Sequence, residues 1–411
     1  MRLSLLPLIY AVLSLTANAQ PPFKVLHSFG LGNDAGGLWS SVVFDQQGNI
    51  YGTSSGGGAY DGGTVFQLNP GQNGEWNETL LYSFPSFPQD GGVAWGGPAV
   101  DASGNIYGTT QVGGLYAHGI AFQLSPSQNG WTETVLHNFA GPGDPTCCPW
   151  GNLTLDEYGN VYGAGDSVFE LSPGDNGWSE SVLHVFASGN GDGYFPQVAP
   201  ILDIKGNLYG TTRYGGGEPA CPANRGCGVV FQLQPGSPGW KEHVIHRFGS
   251  FPADGKVPSL GPLAIDSQGN LYGATSQGGP NICYDVGCGT IFKLTPVAAS
   301  TGTVWIETIL YNFVDGSTGN GPGGGVIIDG AGNLYGTTGY GGSPGCGCGV
   351  VYELSPKNGG WKYAVLHTFN GADGEGPDAN LTFGPDGNLY GTTPTGGSYG
   401  AGVVFEVQIA Q

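Results

Sequence analysis

The feature that most constrains the fold is a short motif, Gly-Asn-Leu-Tyr-Gly-Thr-Thr at residues 206–212, which recurs along the chain with few changes. Its asparagine lies at seven positions, 47 to 63 residues apart: Asn49, Asn105, Asn160, Asn207, Asn270, Asn333 and Asn388. A period of about 50 residues is typical of solenoids, propellers and other repeat architectures. The repeat therefore predicts one body of similar units rather than two or three unrelated domains.

One copy of the repeat reads as four short strands. In the copy that begins near Asp254, apolar runs at residues 260–265, 270–275, 290–294 and 305–313 are separated by turn residues and a Gly-rich loop. An Asp-Ser-Gln-Gly turn joins the first two runs, since Asp accepts backbone N–H groups and Gly takes positive φ. Four antiparallel strands joined by hairpins predict a propeller blade.

The two ends of the chain predict how the ring closes. The seventh copy stops after its third strand, residues 403–407, whereas residues 23–29 match the fourth-strand segment 363–369. We therefore predict an all-β fold, a single seven-bladed β-propeller whose last blade is closed by the N-terminal strand, which removes exposed sheet edges. The expected blades span about 30–84, 85–139, 140–186, 187–248, 249–313, 314–369, and 370–411 plus 23–29.

The N-terminus indicates export. Residues 1–19 combine Arg2, an apolar run and an Ala-Asn-Ala cleavage pattern, which predicts a signal peptide cut before Gln20. No later apolar run reaches the roughly 18 residues needed to span a membrane. We expect a secreted or periplasmic monomer without a membrane anchor.

Eight cysteines in an exported chain predict disulfides. Cys221 with Cys227, and Cys283 with Cys288, are expected to brace long loops. The pairs Cys147/Cys148 and Cys346/Cys348 are too close in sequence to bridge without strain, so pairing with other loops or a metal site stays open.

The composition is strongly acidic, with a formal net charge of −20. Such a charge repels nucleic acid, so no nucleic-acid partner is expected. The charge serves either solubility or cation binding. An Asp precedes each first strand and is most simply a turn former, but a ring of such residues could hold Ca²⁺, with Asp192 and Asp254 as the candidate ligands. No other cofactor is expected.

The repeated pattern Asp-x-x-Gly-Asn-Leu-Tyr-Gly-Thr-Thr, followed by Gly-Gly and Gly-Val-Val-Phe-x-Leu, resembles the GloVer tandem-repeat family of bacterial exported proteins, and its core is similar to repeats of NHL-type propellers. The resemblance covers almost the whole chain after residue 19. It implies a secreted or surface-attached bacterial protein, and it brings no catalytic residues that could be carried over.

Residues found in every repeat are interpreted as structural, and exceptions as functional candidates. Five histidines, two residues before the phenylalanine that closes each fourth strand, share their position with two tyrosines and are expected to pack and to hydrogen bond. They are His27, His137, His184, His246 and His367, and the tyrosines are Tyr82 and Tyr311. His118 lies outside this position, in a loop, and is a candidate acid/base or metal ligand.

Basic residues are concentrated in the fourth repeat. It holds six of the chain's 11 Lys and Arg: Lys205, Arg213, Arg225, Lys241, Arg247 and Lys256. Arg213, Arg225 and Lys256, with Tyr214, could meet on one face and bind an anionic ligand, or they could neutralise nearby carboxylates. Asp166 occupies the position equivalent to Arg213 in the preceding repeat and suggests sugar chemistry in a cleft between them.

Three tryptophans lie outside the repeated pattern, at Trp39, Trp95 and Trp150, and suit either sugar stacking or core packing. No common catalytic motif is present. The sequence therefore favours a binding or scaffold propeller for an extracellular glycan or protein. The alternative is a carbohydrate-active hydrolase or lyase with its site near the third and fourth blades.

Overall fold

The computed structural model describes most of the chain after the predicted signal peptide. The described residues are 20–85, 90–141, 145–146, 148–187, 191–217, 221, 226–283, 285–300 and 302–409. Residues 1–19, Cys147 and Arg225 therefore lie outside the described residues. No helix within the described ranges is long and apolar enough to cross a membrane.

Seven antiparallel sheets of similar strand order follow one another along the chain, which confirms the predicted seven-bladed β-propeller. We number the blades 1 to 7 in chain order. The first strands are Val43–Phe44, Ala99–Val100, Thr154–Leu155, Ile201–Leu202, Ala264–Ile265, Val326–Ile328 and Thr382–Phe383. The second strands are Ile50–Ser54, Ile106–Thr109, Val161–Ala164, Leu208–Thr212, Leu271–Gly278, Leu334–Thr338 and Leu389–Thr393.

The third and fourth strands, which form the outer half of each blade, are mostly longer than the first and second strands. The third strands are Thr64–Pro70, Ile120–Ser127, Ser167–Gly174, Val229–Gly236, Thr290–Ala299, Val350–Lys357 and Val403–Val407. The fourth strands are Trp76–Ser83, Gly130–Asn138, Gly177–Val185, Gly239–Arg247, Gly302–Asn312, Gly360–Thr368 and, from the N-terminus, Phe23–Ser28. Short strands add pairs in the loops at Ala35–Gly36 with Gly56–Gly57, Gly91–Gly92 with Val112–Gly113, Gly193–Tyr194 with Tyr214–Gly215, and Gly255–Pro258 with Leu271–Gly278. One 3-10 turn covers Gln72–Gly74.

The ring closes as the sequence predicts. Phe23–Ser28 pairs antiparallel with Val403–Val407, so that Phe23 lies opposite Val407 and Val25 opposite Phe405. Both ends of the chain therefore contribute to blade 7. Among the described strands, this closure gives the third strand of every blade a partner on both sides.

The core lies between the blades. The phenylalanine that ends each fourth strand packs against the aromatic ring of the third strand in the next blade, with ring centroids 5.0 to 5.4 Å apart. Phe84 and Phe122 form one such pair. Because these rings are buried, contacts between neighbouring blades contribute strongly to the stability of each blade.

The aspartates of the first turn bind their own hairpin. Asp203 accepts hydrogen bonds from the backbone N–H of Lys205 and Asn207, from the Asn207 amide and from the Tyr209 hydroxyl, at 2.8 to 3.2 Å. In blade 7 the turn lacks an Asp at this position, and Asp386 takes over the bonds to Asn388 and Tyr390. These repeated polar residues are turn formers, as their sequence context indicates.

Disulfides are present, as predicted for an exported chain. Cys221 is bonded to Cys227, and Cys283 to Cys288. Cys346 and Cys348, whose pairing the sequence left open, are bonded to each other. Gly347 between them has a φ of +64° and turns the chain so that the two Cα atoms lie 5.1 Å apart.

Candidate functional site

One position per repeat lines the centre of the ring. It lies six residues before the first-turn Asp, or before Gly384 in blade 7: Trp39, Trp95, Trp150, Gln197, Leu260, Gly323 and Asp378. All except Gly323 line a single cavity of about 160 Å³. Residues from six blades can meet in this way only around the common axis, so the cavity is an axial pocket. It opens on the face that carries the long loops, because these residues precede the first strands.

Tryptophans form one side of the axial pocket. The rings of Trp39 and Trp95 stack with centroids 5.9 Å apart, and Trp95 meets Trp150 edge to face at 5.3 Å. Trp150 in turn contacts Phe195. Trp39 is 43% exposed, whereas the other two tryptophans are partly buried. The three tryptophans therefore form a continuous aromatic surface that solvent reaches, rather than part of the core between blades.

The other side of the pocket is polar. Burial raises the pKa of Asp378 to about 6, so this carboxyl group changes its charge near neutral pH. Arg213 donates hydrogen bonds from Nη1 to Oε1 of Gln197 and from Nε to the hydroxyl of Tyr214, both at 3.1 Å. Arg213 and Asp378 also line an adjoining cavity of about 260 Å³, together with Tyr340.

The remaining predicted site residues lie elsewhere. Lys256 lines a separate cavity with Cys221 and Asn281, and Arg225 lies outside the described residues. Asp166 is partly buried, which raises the pKa of its carboxyl group, and no ion pair between Asp166 and Arg213 occurs among the described residues. His118 lies in its loop next to Gly141 and lines neither the axial pocket nor the adjoining cavity.

Histidines of the repeated position meet two carboxylates at three of the interfaces between blades. Each set combines a histidine from one fourth strand, the Asp of the following loop and a Glu from the fourth strand of the next blade. The sets are His27, Asp34 and Glu78; His184, Asp192 and Glu242; and His246, Asp254 and Glu307. Within each set the candidate ligand atoms lie within 4.8 Å of one another. Asp192 and Asp254, the predicted metal candidates, thus each gain two partners.

Burial makes these carboxyl groups unusual. Burial first, and then the negative charges of Asp192 and Asp254, raise the pKa of Glu242 and of Glu307 to about 7. The pKa of Glu78 rises to about 8, first through burial and then through Asp34. Two acidic groups and an imidazole therefore share a site that is partly buried in two of the sets and almost fully buried at His246, Asp254 and Glu307.

At other interfaces between blades, different side chains occupy the positions of the histidine and the glutamate. Tyr82 replaces the histidine between blades 1 and 2, and its hydroxyl lies 2.6 Å from Asp90 and 2.9 Å from Glu133. Between blades 6 and 7, the Glu position is Phe23, which stacks on His367. His367 then lies 3.1 Å from Asp373. His137 and Glu180 lie 3.4 Å apart, but Asp144 of that interface lies outside the described residues.

Sequence reasoning missed Asp378 and the three glutamates. Alignment of the repeats on the first-turn Asp would have placed Asp378 in one column with the three tryptophans. Likewise Glu78, Glu242 and Glu307 all lie two residues after the repeated Trp of the fourth strand. Both signals appear only when residues of successive repeats are compared column by column.

Comparison with known proteins supports the fold and the repeat. The family model described as the Gloeobacter/Verrucomicrobia repeat matches residues 11–221 and 283–411, in agreement with the resemblance seen in the sequence. No curated protein matches the chain.

Solved structures resemble the chain in fold. A proposed 6-phosphogluconolactonase from Bacteroides uniformis aligns over 82% of this chain and 86% of its own, with a TM-score of 0.52 and 13% identity. An ancestral GH74 enzyme aligns over 95% of this chain and 51% of its own, with a TM-score of 0.54 and 12% identity. At such identities the likeness shows the propeller fold alone.

Proposed function

The chain belongs to the Gloeobacter/Verrucomicrobia repeat family, and we propose that it is a secreted propeller that binds an extracellular glycan in its axial pocket. The observation that carries this proposal is the contact series of Trp39, Trp95 and Trp150. Flat aromatic rings with a solvent-accessible surface suit the apolar faces of sugar rings. Secretion agrees with the predicted signal peptide and with the disulfides, which persist in oxidising compartments.

The polar side of the pocket complements this surface. Asp378 can accept hydrogen bonds from sugar hydroxyls, and Gln197 and Arg213 supply further polar groups next to it. A few convergent polar groups beside an apolar surface are typical of small-molecule pockets. The arrangement therefore suits a ligand that is apolar on its faces and polar around its edge, as a sugar ring is.

A carbohydrate-active enzyme is the second candidate. Its support is the raised pKa of Asp378, which is a property of general acids in glycoside hydrolysis. That chemistry usually needs two carboxyl groups. Among the described residues that line the axial pocket and the adjoining cavity, Asp378 is the one carboxylic acid. Binding is therefore the function that this geometry supports better.

A panel of soluble polysaccharides tests the proposal by affinity electrophoresis, with release of reducing ends or of unsaturated products followed in the same samples. We expect retardation by at least one polysaccharide without product. Replacement Trp95→Ala should weaken that binding at least about ten-fold, a loss of roughly 1.4 kcal/mol. Tyr158→Ala is the matched control, since Tyr158 is 77% exposed in a turn at the opposite ends of the strands.

The outcomes separate the candidates. Product formed by the wild type and lost in Asp378→Asn would replace the binding proposal by the enzyme. Equal retardation of the wild type and Trp95→Ala would show that the glycan binds elsewhere. Absence of any retardation would reject the glycan and leave a protein ligand, the other partner that the sequence analysis considers.

A further inference from the structure

We propose that the interfaces between blades bind divalent metal ions of the zinc class, at the sets His246–Asp254–Glu307, His184–Asp192–Glu242 and His27–Asp34–Glu78. This inference is independent of the axial pocket. The sets lie near the outer edge of the ring, because the histidine and glutamate of each belong to fourth strands.

The set between blades 4 and 5 carries the argument. Nε2 of His246 lies 3.4 Å from Oε1 of Glu307 and 3.8 Å from Oδ1 of Asp254. Tetrahedral zinc with bonds of about 2.1 Å to nitrogen and oxygen holds its donor atoms about 3.4 Å apart. Donor atoms at this spacing are too far apart for good hydrogen bonds and suitably placed around a shared ion.

Burial and missing hydrogen bonds point to the same conclusion. The side chain of Asp254 is 0% exposed and that of Glu307 is 8% exposed. Neither oxygen of Glu307, nor Oδ1 of Asp254, nor Nε2 of His246 has a hydrogen-bond partner among the described residues. Buried polar atoms almost always have a partner, and a buried pair of carboxylates needs a compensating positive charge. A dication bound between them supplies both.

The surrounding residues orient the ligands. The second oxygen of Asp254 accepts hydrogen bonds from the backbone N–H and the hydroxyl of Ser250, at 2.9 and 3.0 Å. At Asp192 each oxygen accepts one hydrogen bond, Oδ2 from the backbone N–H of Ala187 and Oδ1 from that of Gly193. Such secondary contacts fix the direction of a ligating carboxylate.

The donor set selects the metal. One imidazole nitrogen and two carboxylate oxygens are ligands of zinc and related ions, whereas Ca²⁺ prefers six to eight oxygens. Three protein ligands also leave a position for water. Because the ligands come from two blades and the loop between them, the ion would join neighbouring blades.

Other interfaces provide internal comparisons. At the interface of blades 1 and 2, the hydroxyl of Tyr82 takes the place of the imidazole and contacts both Asp90 and Glu133. At the interface of blades 6 and 7, Phe23 replaces the glutamate and stacks on His367. Neither interface has the three donor types together, so neither should bind zinc.

Metal analysis of the full mature chain tests the proposal. The protein is stripped with a chelator, loaded with zinc chloride and exchanged into metal-free buffer, and zinc per chain is then counted by mass spectrometry. Replacement Glu307→Gln, or independently His246→Gln, should remove about one equivalent of zinc. The matched control His367→Gln should leave the count unchanged. Replacement Tyr82→His should add about one equivalent, since it would complete a further set with Asp90 and Glu133.

A second readout is the thermal midpoint Tm measured with zinc and with EDTA. Zinc should raise the Tm of the wild type, and this rise should shrink in Glu307→Gln but not in His367→Gln. A wild-type protein that retains no zinc would overturn the proposal, because the carboxyl groups would then share protons instead. Equal zinc counts in the wild type and in both His246→Gln and Glu307→Gln would overturn it as well. The amount of zinc bound by the wild-type protein still tests the proposal if a variant fails to fold.

Discussion

At the scale of single residues, the repeated glycine of the second strand explains why this motif changes so little. A Cβ atom built on Gly210 would lie 2.5 Å from Cζ of Phe231, the buried ring of the adjacent strand in the same blade. The same relation holds for Gly108 with Phe122 and for Gly273 with Phe292. The glycine therefore provides the space in which the core phenylalanine lies.

Replacement Gly210→Ala should lower the free energy of unfolding by about 1–3 kcal/mol, the usual cost of overpacking a core. The control is Gly330→Ala, because a Cβ atom at that turn residue meets nothing within 4 Å. Chemical denaturation of the two variants measures the difference. Equal midpoints for Gly210→Ala and the wild type would show that Phe231 moves aside without cost.

Asp378 should make glycan binding depend on pH. Its pKa is raised to about 6 by burial, so the carboxyl group is mostly neutral at pH 5 and mostly ionised at pH 7. Since an ionised carboxylate accepts hydrogen bonds more strongly, affinity for a neutral polysaccharide should rise across this interval. Affinity electrophoresis at both pH values should show this rise for the wild type. The rise should be absent in Asp378→Asn, and a rise retained in that variant would assign the titration to another group.

The sequence predicts the roles of some single residues and not of others. The first-turn Asp and the closing Phe recur with their neighbours, so local hairpin geometry was enough to assign their roles. Asp378 and Glu307 act on partners in other blades, and a single repeat holds no information about which residues face each other across the ring. Arg213 was found as an exception to the repeat, but its hydrogen bond to Gln197 depends on a loop conformation that spacing does not define.

At the scale of elements, the strand pattern was predictable where periodicity was strong. The third and fourth strands carry alternating apolar residues, and their predicted positions agree with the structure within a few residues. The first strands are only two or three residues long in the structure, for example Ala264–Ile265, although residues 260–265 were predicted. Residues before Ala264 instead turn toward the axis, where Leu260 lines the axial pocket.

Threonines of the second strands connect the elements across blades. The Thr53 hydroxyl donates to the carbonyl of Gly96 at 2.8 Å, and Thr392 donates to Ser40 at 2.7 Å. In both cases the acceptor lies next to the axial-pocket position of the following blade. The motif that defines the repeat thus also connects these second strands to the axial-pocket position of the following blade.

The N-terminal strand is the element on which closure depends. Removal of residues 20–29 should expose the edge of Val403–Val407, lower the Tm and promote association, because an unpaired edge strand pairs with other chains. Light scattering after size exclusion measures this. A peptide of residues 20–29 added in trans should reverse the association, and a truncated protein that stays monomeric at the wild-type Tm would contradict the role of the strand.

At the scale of the whole molecule, the acidic composition affects the stability of the fold through buried carboxyl groups as well as through the net charge. Some groups have lowered pKa values and others raised ones. For Asp45, Asp101 and Asp266, burial alone would raise the pKa, but hydrogen bonds from the neighbouring Asn and Tyr lower it below the ordinary value. For Glu133, burial first and then Asp90 raise the pKa to about 7.

These opposite shifts predict a stability maximum at mildly acidic pH. The aspartates stabilise the fold above their unfolded pKa near 4, and this contribution is lost as the pH falls through their lower folded values. The contribution of Glu133 has the opposite sign: it is fully present below the unfolded pKa of about 4.5 and is lost as the pH rises through about 7. The free energy of unfolding should therefore fall on both sides of about pH 5.

Glu133 provides the decisive variant, because Tyr82 takes the histidine position at its interface. In Glu133→Gln the fall in stability between pH 5 and pH 8 should become shallower, whereas the loss below pH 4 should persist. Denaturation in the presence of EDTA measures the free energy of unfolding in both pH ranges without a contribution from bound metal. The matched control is Glu157→Gln, an exposed carboxyl in the Asp156 turn, which should leave the curve unchanged. An equal slope above pH 5 in the wild type and in Glu133→Gln would mean that Glu133 ionises in the folded protein as it does in the unfolded chain. The partly buried contact of Tyr82, Asp90 and Glu133 would then not hold its proton.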